Sequence, residues 1–205
     1  YLHSFPTRRS SDLAWILLAS GCAQPEVYTE PYTTVEPVAL TAPLAVTLSV
    51  SYAMDGKPNP QRAGEIQAAL AAGLDKGGAF KMAEPGSTGG LLAITVHDGP
   101  SATKGSFLAG FTASVGHALV SQPEFTPQGR RTARDLEVEI SYTPAGGQAQ
   151  DHSYVNRLVT ITNNTQEPTD LVPMQDRKYA ELAFIGNDLN AFAQALAKGQ
   201  APAAP

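Results

Sequence analysis

The chain has 205 residues, 42% of them hydrophobic, and carries 14 basic and 19 acidic side chains for a formal net charge of −5. That length suits one domain of ordinary size, and the acidic balance argues against nucleic acid as a main partner. Cys22 is the single cysteine, which excludes an internal disulfide. No apolar run after Cys22 approaches the roughly 18–20 residues that a transmembrane helix needs.

The first residues do not resemble the start of a natural protein. The string HSFPTRRSSDL at residues 3–13 resembles a translated sequencing adapter, so we interpret residues 1–13 as a sequence artefact. The apolar run that follows, Ala14 to Leu18, is shorter than the roughly 7–15 residues of a secretory signal core. Replacement of the true signal start explains this short run, and residues 14–21 are predicted to be the remnant of a signal peptide.

Small residues then precede the cysteine. The run Leu18-Ala19-Ser20-Gly21-Cys22 resembles a lipobox, the site where bacterial lipoproteins are cleaved and acylated. Small side chains before the scissile bond suit a signal peptidase, and the thiol is the group that accepts a diacylglycerol. The resemblance implies that Cys22 is a lipidated N-terminus, with palmitate among its acyl chains. The alternative is a cytosolic protein with a chance cysteine after an apolar run.

The same resemblance implies a location in the cell envelope. Ala23 follows the cysteine, whereas an Asp there commonly retains Gram-negative lipoproteins in the inner membrane. We therefore expect an outer-membrane lipoprotein facing the periplasm, with the inner membrane less favoured. Removing residues 1–21 takes away Arg8, Arg9 and Asp12 and leaves 12 basic and 18 acidic side chains, a net charge of −6.

Residues 22–44 are predicted to be a Pro-rich tether. Prolines stand at positions 25, 31, 37 and 43. Each lacks a backbone N–H and disfavours helix in the residue before it. An extended segment of this kind rises about 3.1 Å per residue and could reach on the order of 60 Å. The alternative is an edge strand within Tyr32–Val38, favoured by β-branched residues.

Residues 45–198 are predicted to form the folded domain, and its first half gives clear patterns. Ala45–Ala53 alternates between apolar and polar residues, as a half-buried strand does. Asn59 as N-cap and Pro60 at the first position predict a helix from 60 to about 76. A short strand is predicted at Ala79–Ala83. Leu91–His97 is apolar on both faces until its end, which predicts a central strand.

The second half predicts two more strands and a long helix. Asp135–Thr143 alternates regularly, and Ser153–Thr162 does so less regularly after the turn at Gly146-Gly147. A helix is predicted from about 176 to 198, because apolar residues recur three and four positions apart. These are Leu182, Ile185, Leu189, Phe192 and Leu196. The small, Pro-rich tail at residues 199–205 is predicted to be disordered.

These elements predict an α+β fold with a three- to five-stranded, mostly antiparallel sheet and both helices on one face. The order resembles small α/β envelope domains, such as the N-terminal domain of the Tol-system propeller protein and the curli-secretion type of lipoprotein. The run Gly110–Gly116, followed by the strand at 136, also resembles bacterial lipoproteins of unknown function.

The segment Gly105–Val120 carries no formal charge, and both helical and strand spacing fit it. We expect it to pack on the domain's own core. One alternative, implied by the secretion-type resemblance, is a membrane-inserting strand, although a spanning barrel usually inserts hairpins. The other is an apolar patch that docks a partner, with Phe107, Phe111 and Val115 as contacts.

A basic cluster follows at Gln128–Arg134, which is predicted to be a solvated loop. Its arginines could contact lipid headgroups or an acidic partner. Arg130, Arg131 and Arg134 are therefore further candidates for partner docking.

No catalytic constellation is found in the sequence. His97-Asp98 and Asp151-His152 are adjacent pairs at strand ends, and neighbouring strand residues point to opposite faces. No metal motif such as His-Glu-x-x-His is present, and we predict no catalytic residue, metal or cofactor.

The leading hypothesis is a non-enzymatic binding or scaffold module of the envelope, anchored by Cys22, with an envelope protein as partner. The alternative is a subunit of an oligomeric secretion or export apparatus. A periplasmic hydrolase is less favoured. It predicts a deep pocket with at least two convergent polar groups, and His97, His152 and Asp151 clustered in such a pocket would support it.

Overall fold

The computed structural model describes residues 25–84, 86–100, 124–126, 129–162 and 168–200. Cys22, the signal remnant, the segment 105–120 and the tail after residue 200 lie outside the described residues. Of the described helices, none combines the length and the apolar character needed to span a bilayer.

The described residues form nine strands and two helices. The strands are β1 (Glu26–Thr29), β2 (Leu44–Met54), β3 (Lys57–Pro58), β4 (Phe80–Met82), β5 (Gly90–Pro100), β6 (Glu124–Thr126), β7 (Gly129–Thr143), β8 (Gln150–Thr162) and β9 (Val172–Met174). The helices are α1 (Pro60–Leu74) and α2 (Arg177–Gln200).

All the strands belong to one mixed sheet, ordered β3-β2-β5-β7-β8-β1-β9, with β4 also paired to β2 and β6 to β7. β5 and β4 run parallel to β2, and the remaining pairs are antiparallel. The predicted α+β class and mostly antiparallel sheet are confirmed, but the predicted strand number is too low. The strands missed, β1, β3, β6 and β9, have four residues or fewer, too few to show an alternating pattern.

Both predicted helices are present, and each begins at a side-chain cap. The Asn59 side chain accepts a hydrogen bond from the backbone N–H of Arg62 at 3.0 Å, with Pro60 at the first helical position. Asp176 accepts one from the N–H of Tyr179 at 2.7 Å. These caps satisfy N–H groups that have no partner inside a helix.

The main core lies between the two helices and one face of the sheet. Ile66 of α1 and Phe192 of α2 are fully buried in it. The strands contribute alternate residues, among them Val46, Leu48, Leu92, Ile94, Val96, Leu136, Val138 and Ile140. β5 is central in the sheet, as predicted. Leu91 on the other face is 44% exposed, because the described helices cover one side only.

A smaller core occupies the opposite face, where β1 and β8 meet. Tyr28, Val159, Ile161 and Leu171 are buried there, with Ala133 of β7 packed against them. The alternation along β8 therefore changes near its end, where both faces carry buried apolar residues.

The predicted tether requires correction over residues 25–43. β1 lies inside the sheet between β8 and β9, and the following residues 31–40, here called the strap, pack along α2. Asn187 accepts a hydrogen bond from the N–H of Val35 at 2.6 Å, and Asn190 donates one to its carbonyl at 3.0 Å. The sequence pattern of an extended, proline-containing chain is the same whether the chain is solvated or packed. The partners that pack it here lie about 150 residues further along the chain, so local sequence does not reveal them.

Candidate functional site

The carboxyl ends of the parallel strands β2 and β5 meet the first turns of α1 and α2. In open α/β sheets, ligands bind at such strand ends, and helix N-termini favour anions. Here the position holds side chains of the protein itself: Tyr52 from β2, Asp98 from β5, Arg62 from α1, and Arg177 and Glu181 from α2.

Asp98 is the first of two buried carboxylates, and its side chain is 0% exposed. One oxygen, Oδ1, accepts a hydrogen bond from Nε of Arg134 at 2.7 Å. The other, Oδ2, accepts from the hydroxyl of Tyr52 at 2.8 Å and also from Arg177. A buried carboxylate is costly unless it is paired and hydrogen-bonded in this way.

Glu181 is the second buried carboxylate, with its side chain 2% exposed. Its Oε2 accepts from both Nε and Nη2 of Arg62, at 2.8 and 2.6 Å. Its Oε1 accepts from Nε of Arg177 at 2.8 Å and lies 3.2 Å from the Tyr52 hydroxyl. Arg177 therefore bridges the two carboxylates, and the two hydrogen bonds from Arg62 to a single oxygen of Glu181 hold α1 to α2.

The rim of the cluster adds two carboxylates and a lysine. The turn at Asp55-Gly56 has positive φ angles of 50° and 74°, and it brings Asp55 within 2.7 Å of Arg134 Nη2. Glu65 accepts from Arg62 at 2.8 Å and from Lys178 at 2.9 Å.

The cluster is therefore electrically balanced. Its four cations are Arg62, Arg134, Arg177 and Lys178, and its four carboxylates are Asp55, Glu65, Asp98 and Glu181. Asp98 and Glu181 each accept hydrogen bonds on both carboxylate oxygens, so they have little capacity left to bind an ionic ligand.

The protonation of the cluster follows from burial and charge. Burial raises the pKa of the Tyr52 hydroxyl well above its ordinary value, and the charges of Glu181 and Asp98 raise it further. Burial by itself would lower the pKa of Arg177, but its hydrogen bond to Glu181 and the charge of Asp98 outweigh this and raise it. Both groups keep their protons near neutral pH, so neither is suited to act as a general base.

The predicted basic loop is instead the first part of β7. Arg130 is exposed, and Arg131 forms an ion pair with Asp170 at 3.3 Å. Arg134 belongs to the buried cluster, which leaves its guanidinium less free for a partner than predicted. The other predicted contacts, Phe107, Phe111 and Val115, and the lipidation residue Cys22 lie outside the described residues.

The histidines do not converge. His97 pairs in register with Glu137, whereas His152 pairs with Ile140, so the two lie at different levels and on opposite faces of the sheet. The His152 ring packs against Phe192 at a centroid distance of 5.6 Å. Across the described ranges, no group of three or more His, Cys, Asp or Glu is placed to hold a metal.

A further buried acid, Asp188 of α2, contacts β8. Its Oδ2 accepts a hydrogen bond from Nδ2 of Asn156 at 2.7 Å. Burial raises the pKa of Asp188 to about 6, although the bond from Asn156 works in the opposite direction. Glu181 and Asp188 lie four residues before Ile185 and Phe192, respectively, on the same helix stripe. Each acid therefore interrupts the apolar stripe of α2, and this interruption was the available sequence signal for both acids.

The two helices also enclose an apolar groove of about 320 Å³. Its walls include Leu70 and Leu74 of α1, Leu189 and Ala193 of α2, and Pro37 of the strap. None of the charged cluster lines it, so the groove and the cluster are separate features.

Comparison with known proteins identifies no relative. No protein-family model matches the chain, and no curated protein or solved structure matches it.

Proposed function

We propose that this chain is a membrane-anchored lipoprotein of the bacterial cell envelope, held by lipid on Cys22. Its α+β domain acts in the periplasm as a non-enzymatic binding or scaffold module. The observation that carries the proposal is the lipobox-like run Leu18–Cys22, which contains the single cysteine of the chain. Ala23 supports placement in the outer membrane.

The charged cluster supports a non-enzymatic module. It occupies the crevice where an α/β sheet would ordinarily take an anion. Asp98 and Glu181 already use the guanidinium groups that could bind such a ligand. This arrangement joins β2, β5, α1 and α2, which suits a rigid framework.

The sheet face opposite the helices supports a binding surface. No described element covers this face around β5, β7 and the first half of β8, where Val155 is 60% exposed. A shallow depression lined by small and polar side chains lies there, including Thr95, Ser141, Asp151 and Ser153. This open face leaves room for an envelope protein partner.

Lipid labelling tests the anchor. In cells that express the native gene, we expect an alkyne-palmitate label on the protein and an intact mass that includes the lipid on Cys22. Cys22→Ser should abolish the label, whereas Ser20→Ala should retain it because both residues are small enough for a signal peptidase pocket. An unlabelled protein, or a label that survives Cys22→Ser, would refute the anchor.

A further inference from the structure

We propose that one end of the sheet lies directly against the bilayer that holds the lipid, so that the domain is oriented and not suspended on a long spacer. This inference rests on lipidation of Cys22 and adds the orientation of the domain. The contacting end, here called the anchor end, is the row formed by Glu26, Ile161, Arg131 and Glu124. The occupant of this surface is the lipid headgroup layer itself.

The strand register defines this row. Glu26 of β1 pairs with Ile161 of β8, which pairs with Arg131 of β7, which in turn pairs with Glu124 of β6. These residues lie at the beginning of β1 and β7 and at the end of β8. Four strands therefore reach the same edge of the domain together.

The chain between the lipid and the sheet is short. Cys22 and Glu26 are four residues apart. A fully extended chain spans at most about 3.6 Å per residue, so four residues reach about 14 Å. Because β1 is fixed between β8 and β9, the sheet begins within that distance of the anchored sulfur.

The opposite edge lies much further away. β8 has 11 residue steps from Gln150 to Ile161. At about 3.3 Å per residue, the turn between β7 and β8 lies on the order of 35 Å from the anchor end. The chain between Cys22 and Glu26 is too short for the domain to turn over and bring the β7–β8 turn to the membrane surface in place of the anchor end.

The charges at the anchor end are mixed. Arg130 is exposed and Arg131 is shared with Asp170, while Glu26 carries the opposite charge in the same row. Geometry therefore sets the orientation, and electrostatic attraction to anionic lipid is secondary. Raising the salt concentration, which screens exposed charges, is expected to leave the orientation unchanged.

Two exposed glutamines provide a matched pair of labelling sites. Gln175 follows Met174, which pairs with Val27, so Gln175 lies near the anchor end. Gln148 lies in the turn between β7 and β8 at the far edge. A lipidated Cys22 carries a thioether, so in the full-length lipoprotein a maleimide fluorophore reacts only with the cysteine of Gln175→Cys or Gln148→Cys.

The labelled lipoproteins are placed in phosphatidylethanolamine and phosphatidylglycerol vesicles that contain a nitroxide headgroup quencher. We expect several-fold stronger quenching for Gln175→Cys than for Gln148→Cys at both low and high salt. Equal quenching, or stronger quenching of the distal label, with the lipid confirmed by intact mass, would overturn the orientation and leave the anchor in place.

A second comparison separates the orientation from the anchor. An intact mass without lipid on Cys22 would overturn both proposals. Quenching of Gln175→Cys that persists in a Cys22→Ser background would overturn the argument from tether length, because contact would then not depend on the lipid.

Discussion

Asp188 shows how a single buried side chain sets a pH dependence. Burial raises its pKa to about 6 from an ordinary 3.8. The unfolded chain therefore loses this proton at a lower pH than the folded protein does. The contribution of Asp188 to stability falls as the pH rises from about 4 to 6, and its ionisation destabilises the folded state above that window.

We expect Asp188→Asn to be more stable than the parent at pH 7.5, by up to about 3 kcal/mol, since each pKa unit corresponds to about 1.4 kcal/mol. The amide keeps an oxygen that can accept the bond from Asn156. The advantage should shrink towards zero near pH 4. Denaturant unfolding of both proteins at the two pH values measures it, and a difference independent of pH would contradict the prediction.

The buried ion pairs predict unequal effects for two neighbouring cations. Arg62→Met removes two hydrogen bonds from the buried Glu181, and we expect a loss of about 3 kcal/mol because a buried charge loses its partner. Lys178→Met removes an exposed pair with Glu65 and should cost less than about 1 kcal/mol. Urea unfolding compares them, and equally small losses would show that the cluster does not hold the helices together.

At the level of elements, β1 and the strap are parts of the domain. Tyr32 packs edge-on against Phe184 at 5.0 Å, and Leu40 donates a backbone hydrogen bond to Gly78 at 3.1 Å. Val27, Val38 and Leu40 also pack against the main core. Removing these residues would uncover α2 and leave β8 and β9 without the strand between them.

We therefore expect a chain that starts at Ala45 to unfold at a markedly lower temperature than one that starts at Pro25, or to aggregate. Exposure of the apolar core residues under the strap and of two strand edges is the physical cause. Thermal unfolding by circular dichroism, with sizing of both chains, measures the difference. The same melting temperature for the two chains would mean that the strap and β1 contribute nothing to the fold.

For the whole molecule, assembly distinguishes the proposed module from the rival export subunit. A binding or scaffold module is expected to run as a monomer in detergent, whereas a secretion channel must close into a ring. Light scattering coupled to size exclusion on the full lipidated chain measures this. A ring of defined stoichiometry would favour the export apparatus.

Local patterns predicted the longer elements well. The alternation at residues 45–53 became β2 and that at 135–143 became part of β7, while Asn59-Pro60 and the apolar stripe of residues 182–196 marked the helices. Such signals depend on neighbours only a few positions apart. Strands of two to four residues hold too few positions for a pattern, so β1, β3, β6 and β9 escaped prediction.

The candidate site was only partly visible in the sequence. Asp98 interrupts an apolar face of β5, and Glu181 interrupts the stripe of α2, which indicates buried acids but not their partners. Their partners are distant in the chain: Arg134 lies 36 residues from Asp98, and Arg62 lies 119 residues from Glu181. The pair of Arg177 with Glu181, four residues apart, is the local exception. Arg134 was therefore predicted as a docking residue instead of a partner of Asp98.

The amino-acid sequence by itself determined the α+β class, the long strands, both helices and the lipobox resemblance, because each depends on residues close together in the chain. The tertiary structure decided the placement of β1 inside the sheet, the packing of the strap on α2 and the balanced cluster around Asp98 and Glu181. Those features depend on strand register and on opposite charges brought together from distant positions, which folding alone arranges.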